Sequence, residues 1–241
     1  MFVKTDAIVL SHKKVRDNAA LLTLYTEELG RASFLLYGAG SKRGGKCYSL
    51  LQPLSLLSVE ATLKNGQELN VVKELKCLHP LLDAMSNPYK SSILFFLAEM
   101  LTNVLRTNET DKLLFRFLKE SVLCLNGMER GVYNFHIAFL VRLASLLGFC
   151  PDVCDLADAR YFDLRQAEYT DQRPPHKEFV ADREAQFLRL LCRMNYRNLS
   201  CFRFTKEERN ELLDYIIDYY RIHLQDFRDL KTLDVLREIF D

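Results

Sequence analysis

The hydrophobic period of this chain changes once, at Pro80, and that switch limits the folds open to it. From Val3 to Leu78 the sequence runs in short segments rich in β-branched and aromatic residues, divided by turn formers. This predicts strands near 3–13, 18–27, 31–38, 51–63 and 67–77. Asn65-Gly66 separates the last two, and both residues tolerate the positive φ of a tight hairpin. Five short strands with few helical signals among them fit a small closed Greek-key barrel of the OB type. An SH3-like barrel fits the same pattern almost as well.

After Pro80, Ile93, Phe96, Leu97, Met100, Leu101, Val104 and Leu105 recur at helical spacing and share one face. A second helix is expected from near Asn108, with Leu114, Phe117, Leu118, Val122 and Leu125 as its stripe. A third runs from Val132 until Gly148 and Pro151 stop it. It is apolar nearly all round, as the centre of a bundle is. Residues 149–181 break the periodicity. Helix resumes over 182–195, Thr205 and Glu208 form a capping box ahead of Leu213, Ile216, Ile217 and Tyr220, and a last helix covers 232–240. The chain thus reads as mixed α and β in two segregated domains. An OB-fold barrel spans 1–80, and an all-helical domain with an irregular insert at about 149–181 spans 81–241.

With 49% hydrophobic residues the chain has material for a core, and its formal net charge is only +1. That total hides an excess of +4 over residues 1–80 against −3 over the remainder. Affinity for a polyanion depends on where cations cluster, so the imbalance points to the N-terminal part. The seven cysteines, at 47, 77, 124, 150, 154, 192 and 201, are an odd set without the dense spacing of a secreted disulfide scaffold, and reduced thiols in a cytosol are expected. The opening MFVKTDAIVLSHKK lacks a basic start followed by a sustained apolar segment. No apolar run reaches the ~18 residues needed to span a bilayer, so neither secretion nor membrane insertion is expected.

Gly40 to Lys46 satisfies the first seven positions of a phosphate-binding G-x-x-x-x-G-K loop, yet the next residue is Cys47, which has no hydroxyl for a magnesium ion. The following Leu51-Gln-Pro53 does not open a helix toward phosphates, and the NTPase reading is rejected. A flexible basic loop remains, in which Lys42, Arg43 and Lys46 meet backbone phosphates; a merely solvated loop has the same composition. Lys13, Lys14 and Arg16 form a second basic cluster at the first turn, and these three together with Arg31, a further cation of the barrel, are expected to contact DNA phosphates. Tyr25, Phe34, Tyr37 and Tyr48 are candidates for base stacking, although alternation turns about half of them inward.

Cys150 and Cys154 resemble half of a zinc site, with His176 as nearest third ligand and Cys192 a distant fourth. No second pair follows at the usual spacing, and buried free thiols are the commoner explanation. Arg142 lies between apolar neighbours on the third helix, so it is expected either to have a carboxylate partner or to face an opening for an acidic peptide terminus. No Ser-His-Asp set, HExxH helix or complete dinucleotide fingerprint is present, and no catalysis is expected.

Three stretches resemble the RecO family. Thr5-Asp-Ala-Ile-Val-Leu10 is similar to its first strand. Tyr37-Gly-Ala-Gly-Ser-Lys42, followed by Leu50-Leu-Gln-Pro-Leu54, is similar to its glycine-rich basic loop and LQP strand start. Phe139 to Asp152 is similar to its F-x-x-R-L-x-x-x-x-G-x-x-P-D segment. The resemblance implies a cytoplasmic, nucleoid-associated protein of DNA repair and recombination, without enzymatic activity. Its OB fold would bind single- and double-stranded DNA, promote annealing, and work with RecR and single-strand binding protein to load RecA. Many members carry a four-cysteine zinc motif after the G-x-x-P-D segment. This chain has Cys150 and Cys154 at altered spacing without the second pair, so no cofactor is expected. The competing reading is a helical protein-interaction adaptor that does not itself touch DNA.

Overall fold

The computed structural model describes residues 2–16, 19–38, 48–63, 69–150 and 159–239. Five strands close the barrel: β1 (Phe2–Arg16), β2 (Ala19–Thr26), β3 (Gly30–Tyr37), β4 (Leu56–Thr62) and β5 (Leu69–His79). Their order is β1-β2-β3-β5-β4, with β3 and β5 parallel and the other pairs antiparallel. This is an OB-type barrel. β1 is long enough to serve two partners, pairing with β4 from Phe2 and with β2 as far as Arg16. At the changeover Val9 donates to Ser55 O (3.1 Å) and accepts from Leu54 N (2.8 Å), beside a bulge between Val9 and Ser11. Alternation then sends Ala20, Leu22 and Leu24 of β2 and Phe34 and Leu36 of β3 into the barrel core with Val59 and Val72. β4 starts at Leu56 and not at residue 51, because 51–55 turn on the Ser55 N to Gln52 O bond (3.0 Å) and Pro53 has no N–H for a ladder. The Asn65-Gly66 hairpin lies outside the described residues.

The switch at Pro80 ends the barrel but not the compact unit to which it belongs. That unit comprises Met1–Gly127 and Leu230–Leu236, so α1 (Leu82–Ser86), α2 (Pro88–Val104) and α3 (Lys112–Gly127) are packed with the barrel. Lys119 Nζ lies 2.8 Å from Asp6 of β1, and the Phe115 ring sits on Tyr25 of β2 with centroids 6.2 Å apart. α3 begins at Lys112 and not near Asn108 because Asp111 is its N-cap, its Oδ1 accepting from Leu114 N (2.9 Å). The Glu99 carboxylate on α2 accepts from Lys231 N (3.1 Å), Thr232 N (2.8 Å) and Thr232 Oγ1 (2.6 Å), and so holds the start of α7 (Thr232–Ile239) on this unit.

The second unit comprises Met128–Asp229 and Arg237–Asp241. α4 (Phe135–Leu146) is its centre, with Phe135, His136, Ile137, Ala138, Phe139 and Leu140 all buried in succession. α5 (Asp182–Leu191) and α6 (Lys206–His223) pack on it, and Tyr220 Oη donates to Leu140 O at 2.7 Å. The capping box forms as expected: Glu208 N donates to Thr205 Oγ1 (3.2 Å) and Thr205 N to Glu208 Oε2 (3.0 Å). The insert is more ordered than its sequence suggests. It carries a small antiparallel sheet of β6 (Tyr161–Asp163), β7 (Glu168–Thr170) and β8 (Phe179–Ala181), in the order β7-β6-β8. Strands of three residues are too short to display alternation. Phe162, Tyr169 and Val180 give the sheet a buried face against Tyr219. Among the described residues no helix is long and apolar enough to cross a membrane.

Candidate nucleic-acid interface

The outer face of β2 and β3 is divided. At one end Tyr25 is buried beneath Phe115, and burial pushes its hydroxyl up to about 12. Beside it the Arg31 guanidinium donates to Thr102 O (3.1 Å) and to Leu105 O, the carbonyls that close α2. Arg31 is therefore a clamp between barrel and helix, a role that removes it from the proposed phosphate-contacting set. A guanidinium on terminal helix carbonyls satisfies acceptors that the helix itself leaves without donors.

At the other end of the same face the described residues Lys13 and Tyr37 are exposed. Register places Arg16 opposite Ala19 and Ala19 opposite Tyr37, so the first hairpin and the end of β3 lie two strand spacings apart, about 10 Å. Tyr37 is 62% exposed. Lys13, paired with Leu21 and through it with Leu35, is exposed on this outer face. Lys14 is paired with Ala20, a core residue, and so projects on the opposite side of the ribbon, where the hairpin outruns the barrel. The two adjacent lysines form a rim around the barrel end and not a flat patch, because successive strand residues face opposite ways.

Lys42, Arg43 and Lys46 lie outside the described residues, but both ends of their segment are fixed at this rim. The chain leaves at Gly38, directly after Tyr37, and returns at Tyr48, whose ring meets His12 of β1 edge-on at 6.1 Å. Lys73 joins the set unannounced by the sequence. β3 and β5 are parallel, with their last paired residues Leu35 opposite Val71, and beyond that pair Tyr37 and Lys73 are both exposed. Of the stacking candidates, Tyr37 faces solvent, Tyr48 is half-buried, and Tyr25 and Phe34 are buried.

In the second unit Arg142 is exposed, which overturns the expectation of an internal ion pair. Leu140 and Leu143 take the inward face of α4, and the residue between them at this angular position points out. Cys150 is exposed and Cys154 lies outside the described residues. His176 is bonded through Nε2 to Asp163 Oδ2 (3.0 Å), and Asp163 Oδ1 accepts from Arg165 N (2.8 Å) and Gln166 N (3.0 Å). The imidazole thus ties the small sheet together through a carboxylate. Burial, with Cys150 nearby, pushes the Cys192 thiol up to about 11. Among the described residues no cluster of three or more His, Cys, Asp or Glu could hold a metal.

A closed OB-type barrel bound to helices, with exposed lysines and a tyrosine at one end, places the chain in the class of OB-barrel proteins with an appended helical unit. Residues 1–81 match the family described as Recombination protein O N terminal, and residues 85–234 match Recombination protein O C terminal. The chain belongs to the RecO family of DNA repair proteins. It is 39% identical over 240 residues to the DNA repair protein RecO of Phocaeicola vulgatus. It is 36% identical over 241 residues to that of Azobacteroides pseudotrichonymphae and 32% identical to that of Flavobacterium johnsoniae. Each alignment covers 100% of both chains.

Proposed function

We propose that this chain is a recombination mediator that works by binding DNA and not by catalysis, with this barrel end as its DNA-binding surface. It promotes annealing of single strands and, with RecR, the loading of RecA onto DNA covered by single-strand binding protein, in the cytoplasm at the nucleoid. One arrangement supports this above others. Lys13, Lys14, Tyr37 and both ends of the segment holding Lys42, Arg43 and Lys46 meet at one end of the barrel, while α2 and α3 seal the other. Cations on a rim attract a phosphate chain without regard to sequence, and an exposed tyrosine ring gives an unpaired base a surface to stack on. Such a surface suits a protein that must accept any strand exposed at a gap.

Replacing Lys13, Lys42, Arg43 and Lys46 together by Glu is expected to weaken single-strand binding at least tenfold in 100 mM salt. The slope of log K against log salt should fall by about 3, from ~0.7 per lost phosphate contact. Tyr37→Ala is expected to lower affinity by about 1–3 kcal/mol per base unstacked while leaving the salt slope nearly unchanged. Fluorescence anisotropy with a labelled oligonucleotide measures both, and unchanged affinity and slope in the fourfold variant would remove the DNA site from the barrel. The mediator role is checked by RecA filament formation on protein-covered single strands with RecR present, where the fourfold variant should fail.

A further inference from the structure

The second unit carries a cationic surface that the barrel reading does not use. Between Glu184 and Glu207 the chain has Arg189, Arg193, Arg197, Arg203 and Lys206 and no carboxylate. Arg193, Arg197 and Arg203 are exposed, and none has an ion-pair partner among the described residues. Between them stand half-buried aromatic residues that fix where they emerge. Tyr196 stacks on Phe135 with centroids 4.7 Å apart and planes at 12°, and Phe202 and Phe204 pair at 6.1 Å on either side of Arg203.

The backbone beneath is held just as firmly. Asn198 Nδ2 donates to Arg193 O (3.0 Å), its Oδ1 accepts from Asn195 N (2.8 Å), and Asn195 Oδ1 accepts from Arg197 N (3.0 Å). The buried Asn134 donates through Nδ2 to Leu199 O (3.2 Å) and Phe202 O (2.9 Å), fastening this segment to the start of α4. Gly131, at φ +78°, lets Leu199 and Ser200 pack against it, since a Cβ there would lie 2.7 Å from Leu199 Cβ. Three unneutralised guanidinium groups therefore stand on a pre-ordered loop whose own stability does not require them.

We propose that Arg193, Arg197 and Arg203 form a second nucleic-acid surface, gripping the sugar-phosphate backbone of a DNA strand. The cations stand on a segment of turns and a short 3-10 helix (Leu199–Cys201) with no carboxylate in it, and a phosphate chain, charged at every nucleotide, offers each of them an anion. An acidic peptide would instead need an apolar anchor socket among the arginines, where the aromatic rings are already packed on one another. This inference does not depend on the barrel site. If both hold, one chain contacts DNA at two places, as a protein that brings strands together requires.

The test is the salt dependence of binding of labelled oligo-dT to the full chain carrying R193Q, R197Q and R203Q. The slope of log K against log salt is expected to fall by about 2, and affinity in 100 mM salt by about tenfold. The loss should add to that of the barrel variant, so failure at one site is distinguishable from failure at the other. Lysine at all three positions should restore the slope, because a phosphate is met by a point charge. If the triple variant melts early, the single glutamine variants should each lower the slope by about 0.7. An unchanged slope in wild-type-like folded protein overturns the proposal. So does loss of binding to a poly-glutamate peptide with DNA affinity intact, which would assign the loop to an acidic protein partner.

Discussion

Gly30→Ala is expected to destabilise the barrel unit by about 2–5 kcal/mol, combining a left-handed backbone penalty of about 1–2 with overpacking of a further 1–3. Gly30 opens β3 at φ +59°, a conformation that an L side chain adopts only with strain. An alanine Cβ would stand 2.3 Å from Glu109 O, 2.8 Å from Glu109 C and 3.0 Å from Asn108 C, all backbone atoms that cannot rotate away. Relief would require lifting the segment before α3 off the strand, and the Arg31 bonds to Thr102 and Leu105 lie next to that displacement. Urea unfolding of the variant measures the effect. Gly38→Ala is the comparison, because Gly38 has φ +79° but nothing within 4 Å of its Cβ position among the described residues. It should lose only the backbone penalty, about 1–2 kcal/mol. Equal losses at the two positions would mean that the helices do not press on the barrel at Gly30.

Much of this architecture is legible from period alone. Alternation before Pro80 and helical recurrence after it place the five strands and most helices within a few residues, and Thr205 with Glu208 announces the start of α6 in the sequence itself. What escapes is what distant parts of the chain do to one another. Arg31 reads as one more barrel cation until the carbonyls of Thr102 and Leu105, more than seventy residues on, are found to take its guanidinium. Tyr25 lies on an outward-facing strand position and is nonetheless buried, because α3 covers it. The strand crossover that makes β3 and β5 parallel partners has no signal in the hydrophobic period.

Charge was misleading for a different reason. The net −3 of residues 81–241 is an average over carboxylates on helix surfaces and the carboxylate-free run from Arg189 to Lys206. A polyanion responds to local clusters within about one Debye length, ~10 Å at 0.1 M salt, so a sum over a whole domain erases the feature that matters. A sliding count of charge along the sequence would have located the run. It would not have revealed that Asn134, Asn195 and Asn198 hold its backbone in place.

The second unit should lose stability as pH falls from about 6.5 toward 3, in large part through His136. This imidazole is wholly buried at the start of α4, and desolvation, reinforced by the nearby Arg209 charge, lowers its pKa from 6.5 to about 3. Above 6.5 the ring is neutral in both folded and unfolded chains and pH has no leverage on it. Between 6.5 and 3 the unfolded chain takes up a proton that the folded one refuses, so each unit of acidification favours unfolding by up to about 1.4 kcal/mol. The accumulated penalty is about 2 kcal/mol at pH 5 and about 3 kcal/mol at pH 4. His136→Gln removes the titration. It should be the less stable protein at pH 7, where it disturbs a close-packed site, and should approach or overtake the parent as pH falls to 4. Urea titrations of both proteins at pH 7, 5.5 and 4 give the difference directly. Should the variant fail to fold, the imidazole resonances of the parent decide the matter, since a His136 ring that protonates near pH 6.5 in the native state would leave no linkage to explain.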